Sequence, residues 1–393
     1  MRPVLTKLFT DFFNSEKAGG FLLIGCTVLS LIIANSGWGE AYLAFWHTAI
    51  GAENEVVQLR HPVEFWVNDG LMTIFFLLVG LEIERELYIG ELSSPKKALL
   101  PAIAALGGMA IPAFIHFTFN SGLDTQSGFG IPMATDIAFA LGILSLLGNK
   151  VPAAIKVFLA AFAIIDDLGA IIIIAVFYTA DFSFGYFAAA MGIWGILFIL
   201  NRARVHVLAA YLLPGVVMWY CMLQSGVHAT ITGVLLAFVL PFGDGGEKTL
   251  SYRLQHWLHK PVAFVILPLF ALANTGIVFS SGWSQQLFSR NSLGIIAGLV
   301  IGKPVGIMLF SYLAVKMRIS RLSAGIRWQH VFGVAMLGGI GFTMSVFITL
   351  LAFNDAATVT GSKIAILASS LIAGIAGFAY LRLIAARKSS GQA

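Results

Sequence analysis

The sequence predicts an all-α polytopic membrane protein of twelve transmembrane helices, with two inverted-topology three-helix repeats whose middle helices, the fourth and eleventh spans, are interrupted. Three observations carry that expectation. Of 393 residues, 58% are apolar and 11% are charged, whereas a soluble domain carries about 25% charged residues. Spans of ~20 residues would use up nearly all that apolar content in about a dozen helices. The basic residues fall on one side of the alternating spans, and two segments of opposite orientation share helix-weakening residues at mid-depth. This composition excludes an ordinary soluble enzyme, a disordered chain and a nucleic-acid-binding protein. The net charge of +5 reports orientation, not a polyanionic partner.

Along the chain, residues 1–18 hold Leu5, Leu8, Phe9, Phe12 and Phe13 at helical spacing. That predicts a cytoplasmic helix lying on the membrane surface. The stretch lacks an apolar h-region and is not a cleavable signal peptide. Twelve apolar segments follow near 19–36, 65–88, 98–119, 128–147, 152–178, 183–200, 205–221, 224–240, 256–279, 291–314, 328–352 and 361–384. The one substantial loop, 37–64, is expected in the periplasm, and 385–393 is a short cytoplasmic tail. No linker or soluble insertion appears, so one transmembrane domain is expected over 1–393. Cys26 and Cys221 sit in apolar stretches and make neither a disulfide framework nor a metal cluster.

Orientation follows from counting. Of the 24 Lys and Arg residues, 20 lie at connections and span ends on the side that holds both termini. Three (Arg60, Arg290 and Lys363) lie on the other side, and Lys303 is inside a span. The basic side is cytoplasmic. The third span then starts inside and the tenth starts outside, so spans three to five and ten to twelve form inverted triplets. The fourth span contains Gly130-Ile131-Pro132-Met133-Ala134-Thr135-Asp136. The eleventh contains Gly338-Gly339-Ile340-Gly341-Phe342-Thr343-Met344-Ser345. Interrupted helices at matching places in two halves point to a transporter's binding site.

Asp136, Asp166, Asp167 and Lys303 lie well inside spans. Each costs ~2.5–3.5 kcal/mol at the bilayer centre on an insertion scale. Together they would cost ~10–14 kcal/mol, comparable with a typical protein's whole stability. Salt bridges that fix helix register are one reading. Three acids against one base leave charge unmatched, so protons or a cation must balance it. Asp166 and Asp167 are adjacent and point about 100° apart. One can face a cavity while the other meets Lys303. Gly294, Gly298, Gly302 and Gly306 form overlapping GxxxG patterns around Lys303, which reads as close helix packing. The phosphate-loop spacing is absent, with Pro304 after the lysine. At the two breaks, Asp136 and Lys303 can offset half-helix dipoles. Freed carbonyls near Thr135 and Gly341 are hard oxygen ligands suited to a small cation.

Five stretches carry a resemblance: Ala134-Thr135-Asp136-Ile137-Ala138-Phe139-Ala140, Ile164-Ile165-Asp166-Asp167-Leu168-Gly169-Ala170, Ser225-Gly226-Val227-His228-Ala229-Thr230, Gly302-Lys303-Pro304, and Gly339-Ile340-Gly341-Phe342-Thr343-Met344-Ser345. Together they resemble the NhaA family of bacterial sodium/proton antiporters, over roughly 15–385. NhaA is itself one of the type cases of the inverted-repeat architecture invoked above. The resemblance implies that the two interrupted helices cross, and that Asp166 and Asp167 bind sodium (or lithium) and protons with Thr135 beside them. It also implies that Asp136 and Lys303 compensate charge, with Lys303 pairing with an Asp. Exchange would be electrogenic alternating access across the inner membrane, governing cytoplasmic pH and sodium, with no cofactor.

Further positions follow from the same resemblance. Glu82, Arg85 and Glu86 match positions linked to pH control, although a solvated helix end with local pairing accounts for them equally. His256 and His259 match a second such stretch, but Gln255 stands where the family pattern has an acid. His228 suits either a helix–helix contact or a pH role. The family uses a hairpin in the 37–64 loop to form a homodimer. Here Val56-Val57-Gln58-Leu59-Arg60 could be one strand, but His61-Pro62 follows directly and Pro is poor inside a paired strand. Two other functions fit parts of the sequence. One is a proton-coupled symporter of an organic solute, which would want wider, more polar cavities. The other is an intramembrane aspartyl protease using Asp136 and Asp167, whose GxGD signature is missing.

Overall fold

Long apolar runs with few charges become helices, because a helix satisfies every backbone polar group within its own segment. The computed structural model describes residues 2–54, 58–148, 151–179, 182–279, 282–322 and 325–390. Val56, Val57 and Lys150 lie outside the described residues, as do the side chains of 2–17 and 387–390. The first helix, α1 (Arg2–Ala34), runs 33 residues without a break at the expected junction near residue 18. It turns by 113° into α2 (Gly39–His47). Then come α3 (Val63–Tyr88) and α4 (Pro95–Phe119), followed by a 3-10 stretch (Asp124–Met133) leading into α5 (Ile137–Leu146). Next are α6 (Ala153–Phe177), α7 (Phe184–Arg202), α8 (Ala209–Gln224), α9 (Ile231–Ala237) and α10 (Leu250–Asn274). The chain ends with α11 (Trp283–Leu287), α12 (Arg290–Lys316), α13 (Trp328–Gly338), α14 (Phe342–Ala352) and α15 (Ala356–Ser390).

The chain is an all-α, multi-pass membrane protein. Among the described residues, eight helices are long and apolar enough to cross a membrane, or up to ten if each bent pair is one span. Two segments fall short of the lengths expected from the sequence. α8 has 16 residues and α9 only 7. Gly226, at φ +80°, turns the chain between them, and Pro241 disfavours helix in the residue before it.

Packing groups the chain into two compact units, 1–15 with 21–85 and 174–279, and 16–20 with 86–173 and 280–393. In the first unit, a short hairpin pairs β1 (Ala49–Ile50) with β2 (His61–Pro62), with a further bridge between Glu53 and Gln58. The strand therefore includes the proline that the sequence argued against. Val63 N–H donates to Thr48 O and Leu59 N–H to Ala52 O, both at 3.0 Å. Alternate pairs in an antiparallel ladder are not hydrogen-bonded, and in this register Pro62 opposite Ala49 is one of those. Its missing N–H is not needed. Gly51 lies within this pairing at φ +119°, where an added Cβ would lie 1.9 Å from Leu59 O.

In the second unit, α4 and α12 touch backbone to backbone. A Cβ added at Gly306 would lie 2.1 Å from Gly107 O, and one at Gly107 would lie 2.3 Å from Gly306 O. Gly294 packs against His116 and Asn120, Gly298 against Pro132, and Gly302 against Pro112. The glycine stripe is thus a packing seam. α12 widens into a π turn at Gly298–Gly302, just before Lys303 and Pro304. Proline lacks the N–H that would continue the ordinary ladder, and a wide turn absorbs that defect.

Candidate functional site

Two helix breaks are strapped together in the second unit. After the 3-10 stretch, Ala134-Thr135-Asp136 runs extended, and Asp136 caps α5 by accepting Phe139 N–H at 3.0 Å. Aspartate is a favoured cap because its carboxylate meets orphan N–H groups at a positive helix end. The second break, Gly339-Ile340-Gly341, separates α13 from α14 with a 45° bend. Asp136 N–H donates to Ile340 O at 2.7 Å, and Thr135 Oγ1 donates to Gly338 O at 2.8 Å. In return, Asp136 Oδ2 accepts Thr343 N–H at 3.0 Å and the Thr343 hydroxyl. One carboxylate therefore serves the N-termini of both α5 and α14. The flank is closed by Phe342 N–H to Ser370 Oγ at 3.1 Å and by Ser345 Oγ to Ile131 O at 2.7 Å.

Two carbonyls at the break after α13 each accept a hydrogen bond from the first break, Gly338 O from Thr135 Oγ1 and Ile340 O from Asp136 N–H. Two side-chain oxygens without a hydrogen-bond partner lie close by on α6. Lys303 and Asp166 have no exposed surface. Lys303 Nζ donates to Asp166 Oδ2 at 2.7 Å and to Thr135 Oγ1 at 2.8 Å, and stands 5.5 Å from the Phe162 ring centroid. Thr135 links the lysine to the helix break, accepting from Nζ while donating to Gly338 O. Asp166 Oδ1 and Asp167 Oδ1 are buried and have no hydrogen-bond partner. The charges that act on Asp167 are Asp166, Asp136 and Lys303. Among the described residues, no group of three His, Cys, Asp or Glu side chains could hold a metal ion. A transition-metal centre is not what this arrangement resembles. Carboxylate oxygens beside a hydroxyl suit a hard monovalent cation.

Sequence reasoning found the acids, the lysine, Thr135 and the break residues Gly338, Gly339, Gly341, Phe342 and Thr343. It missed Ser370 and Phe162, and it gave Ser345, the last residue of the quoted motif, no role. Serines and phenylalanines are common in apolar helices, and neither type signals its partner by spacing.

The residues matched to pH control are dispersed. In the first unit, Arg85 is buried rather than solvated. Its Nε donates to Gln255 Oε1 at 2.5 Å, its Nη1 donates to Gly245 O at 3.2 Å, and it lies over the Tyr252 ring at 4.9 Å. Gln255 is thus a neutral acceptor for the buried guanidinium. Glu82 lies 3.7 Å from His259 Nδ1. His256 is exposed and stacks on Tyr252, 6.3 Å between centroids. His228 is half-buried between α8 and α9, and its ring interacts with the Tyr178 backbone. Glu86 belongs to the second unit, where its Oε2 accepts Glu91 N–H at 2.8 Å.

A multi-pass membrane protein with broken helices joined at their interruptions, and with Asp136, Asp166, Asp167 and Lys303 buried around that junction, has the make-up of an ion-coupled secondary transporter. Residues 10–381 match the family model described as Na+/H+ antiporter 1, and the chain belongs to that family. It is 60% identical over 379 residues to the Na(+)/H(+) antiporter NhaA of Cytophaga hutchinsonii, covering 96% of each chain. It is 60% identical over 380 residues to Na(+)/H(+) antiporter NhaA 1 of Flavobacterium johnsoniae, covering 97% of this chain and 98% of the relative. The NhaA of Dechloromonas aromatica is 58% identical over 381 residues, with 96% of each covered. Membership makes the chain a transporter and not an enzyme. Neither the organic-solute symporter nor the aspartyl protease finds support.

Proposed function

We propose that the chain is an electrogenic antiporter that expels Na+ (or Li+) in exchange for H+, with both ions competing for Asp166 and Asp167. The observation that carries this reading is a buried carboxylate, Asp167, with an unpartnered oxygen beside an Asp166 already held by Lys303. Sodium needs oxygen ligands to replace its water, and a carboxylate supplies both ligand and charge. Protons on the same oxygens remove that charge. If the empty, unprotonated site cannot change sides, competition becomes obligatory exchange, and the proton gradient drives sodium out. Asp136 and Lys303 compensate the broken helices so that the crossing persists through the cycle. By the same reading the protein has twelve spans with inverted repeats, lies in the inner membrane with both termini cytoplasmic, and forms a homodimer. Glu82, Arg85, Glu86, His228, His256 and His259 tune its response to pH.

The test is calorimetric titration of sodium into purified protein in two buffers of different ionisation enthalpy. Sodium binding is expected to release protons, with affinity weakening as pH falls. Asp167→Asn keeps the size but cannot carry the charge, and is expected to abolish both binding and release while the protein stays folded. Affinity independent of pH, or binding without proton release, would sink direct competition. Proteoliposomes with an internal pH dye, pulsed in turn with Na+, Li+, K+ and choline, test the exchange itself.

A further inference from the structure

We propose that the cavity at the start of α13 binds an anionic phospholipid, with the headgroup phosphate on Arg327 and the acyl chains along α15. The cavity measures about 600 Å3, and its wall includes Val151, Arg327, His330, Tyr380, Leu381 and Ile384. Its two halves differ in chemistry. At the mouth, Arg327 caps α13 in extended conformation (φ −115°, ψ 158°) with its side chain exposed. Its backbone N–H donates to His330 Nδ1 at 3.1 Å. Accepting there places the imidazole proton on Nε2, so the ring is a donor on its other edge. The eleven-residue α13 starts at the same place, and the positive end of a helix attracts anions. A guanidinium can hold a phosphate through two parallel bonds.

The opposite wall is apolar. Leu381 is buried, while the neighbouring Leu383, also in the wall, is 63% exposed. A free inorganic anion has no use for such a wall, but an acyl chain does. Charge points the same way. Among the described residues, no acid lines the cavity. In sequence, Lys316, Arg318, Arg321 and Arg327 precede α13, Arg382, Arg387 and Lys388 end the chain, and no Asp or Glu lies between Glu247 and Asp355 or after Asp355. Basic pockets at the cytoplasmic edge of a helix bundle suit anionic headgroups.

The experiment measures lipid retained by the full-length protein in detergent, by native mass spectrometry, with phosphatidylglycerol and phosphatidylcholine as probes. The unmutated chain is expected to retain phosphatidylglycerol in preference. Arg327→Gln is expected to weaken it about tenfold, the worth of a charge-assisted bond, while keeping the backbone bond to His330. Gln329→Glu, which adds a carboxylate to the cavity wall at a site that favours acids, is expected to weaken it in the same sense. Arg321→Gln removes an equal charge that does not line the cavity and is expected to change little. Equal retention by Arg327→Gln and Gln329→Glu would overturn the site. So would equal loss in Arg321→Gln, which would mean diffuse surface attraction. Displacement of the lipid by millimolar inorganic phosphate would show a free-anion site instead.

Discussion

Lys303 is completely buried, and its two oxygen partners come from different elements, Asp166 on α6 and Thr135 at the first helix break. Removing it strands Asp166. Lys303→Ala is expected to lower stability by roughly 3–5 kcal/mol, the usual cost of breaking a buried pair, read as a fall in the thermal midpoint in detergent. An unchanged midpoint would show that the pair contributes nothing to the fold. Asp136 makes a second prediction, because its carboxylate accepts Phe139 N–H, Thr343 N–H and the Thr343 hydroxyl. Asp136→Ala leaves those donors unmet, at about 1–3 kcal/mol each. Asp136→Asn keeps one oxygen and is expected to fall between. If Ala and Asn melt together, the carboxylate is not what holds α5 and α14. The acids and the lysine were legible in the sequence because charge in an apolar run is expensive and therefore conspicuous. Which of Asp166 and Asp167 would meet the lysine was not legible, since neighbours on a helix differ only in direction.

Among the elements, α4 and α12 are held at a distance that only residues without a Cβ allow. Gly306→Ala and Gly107→Ala each drive a methyl group into backbone carbonyl. Overpacking of that kind costs about 1–3 kcal/mol, and the loss is expected as a lower thermal midpoint. Gly192 in α7 is the control, because nothing lies within 4 Å of an added Cβ. There Ala is expected to stabilise by roughly 0.5–1 kcal/mol, since glycine in a helix loses more backbone freedom on folding. Equal effects at all three positions would deny the seam. The four-residue spacing of the glycines made this contact readable. The hairpin was less readable. Whether Pro62 fits depends on ladder register, which is set by the bonds from Leu59 and Val63 and by the close approach of the chain at Gly51, and not by strand composition. The 3-10 form of Asp124–Met133 also escaped, although Gly128, Gly130 and Pro132 announced a weak helix.

For the whole molecule, the one-sided distribution of basic residues sets the orientation to test. In a background lacking Cys26 and Cys221, cysteines placed near Lys97 or Arg321 are expected to resist an impermeant thiol reagent applied to intact cells, and one near Asp124 is expected to react. The opposite pattern would invert the topology. The 37–64 segment holds the paired strands β1 and β2, so in the proposed homodimer deletion of 51–60 is expected to shift the mass toward monomer in light scattering. An unchanged mass would show that this hairpin does not hold a dimer together. Hydropathy and charge alternation made the membrane class and the helix positions legible from sequence. The short α8 and α9 and the grouping into two packed units were not, because helix length and packing depend on local turns and on which faces meet.

The bond between Asp166 and Lys303 also sets an order of manufacture. The two residues are 137 positions apart, and a ribosome adds ~5–20 residues each second. The acid on α6 is therefore made roughly 7–30 s before its partner exists. For that interval the nascent bundle holds an incomplete centre that later-made helices must find and close. A ribosome stalled before Lys303 would leave a chain with its acids, no ammonium and no second helix break to strap to the first.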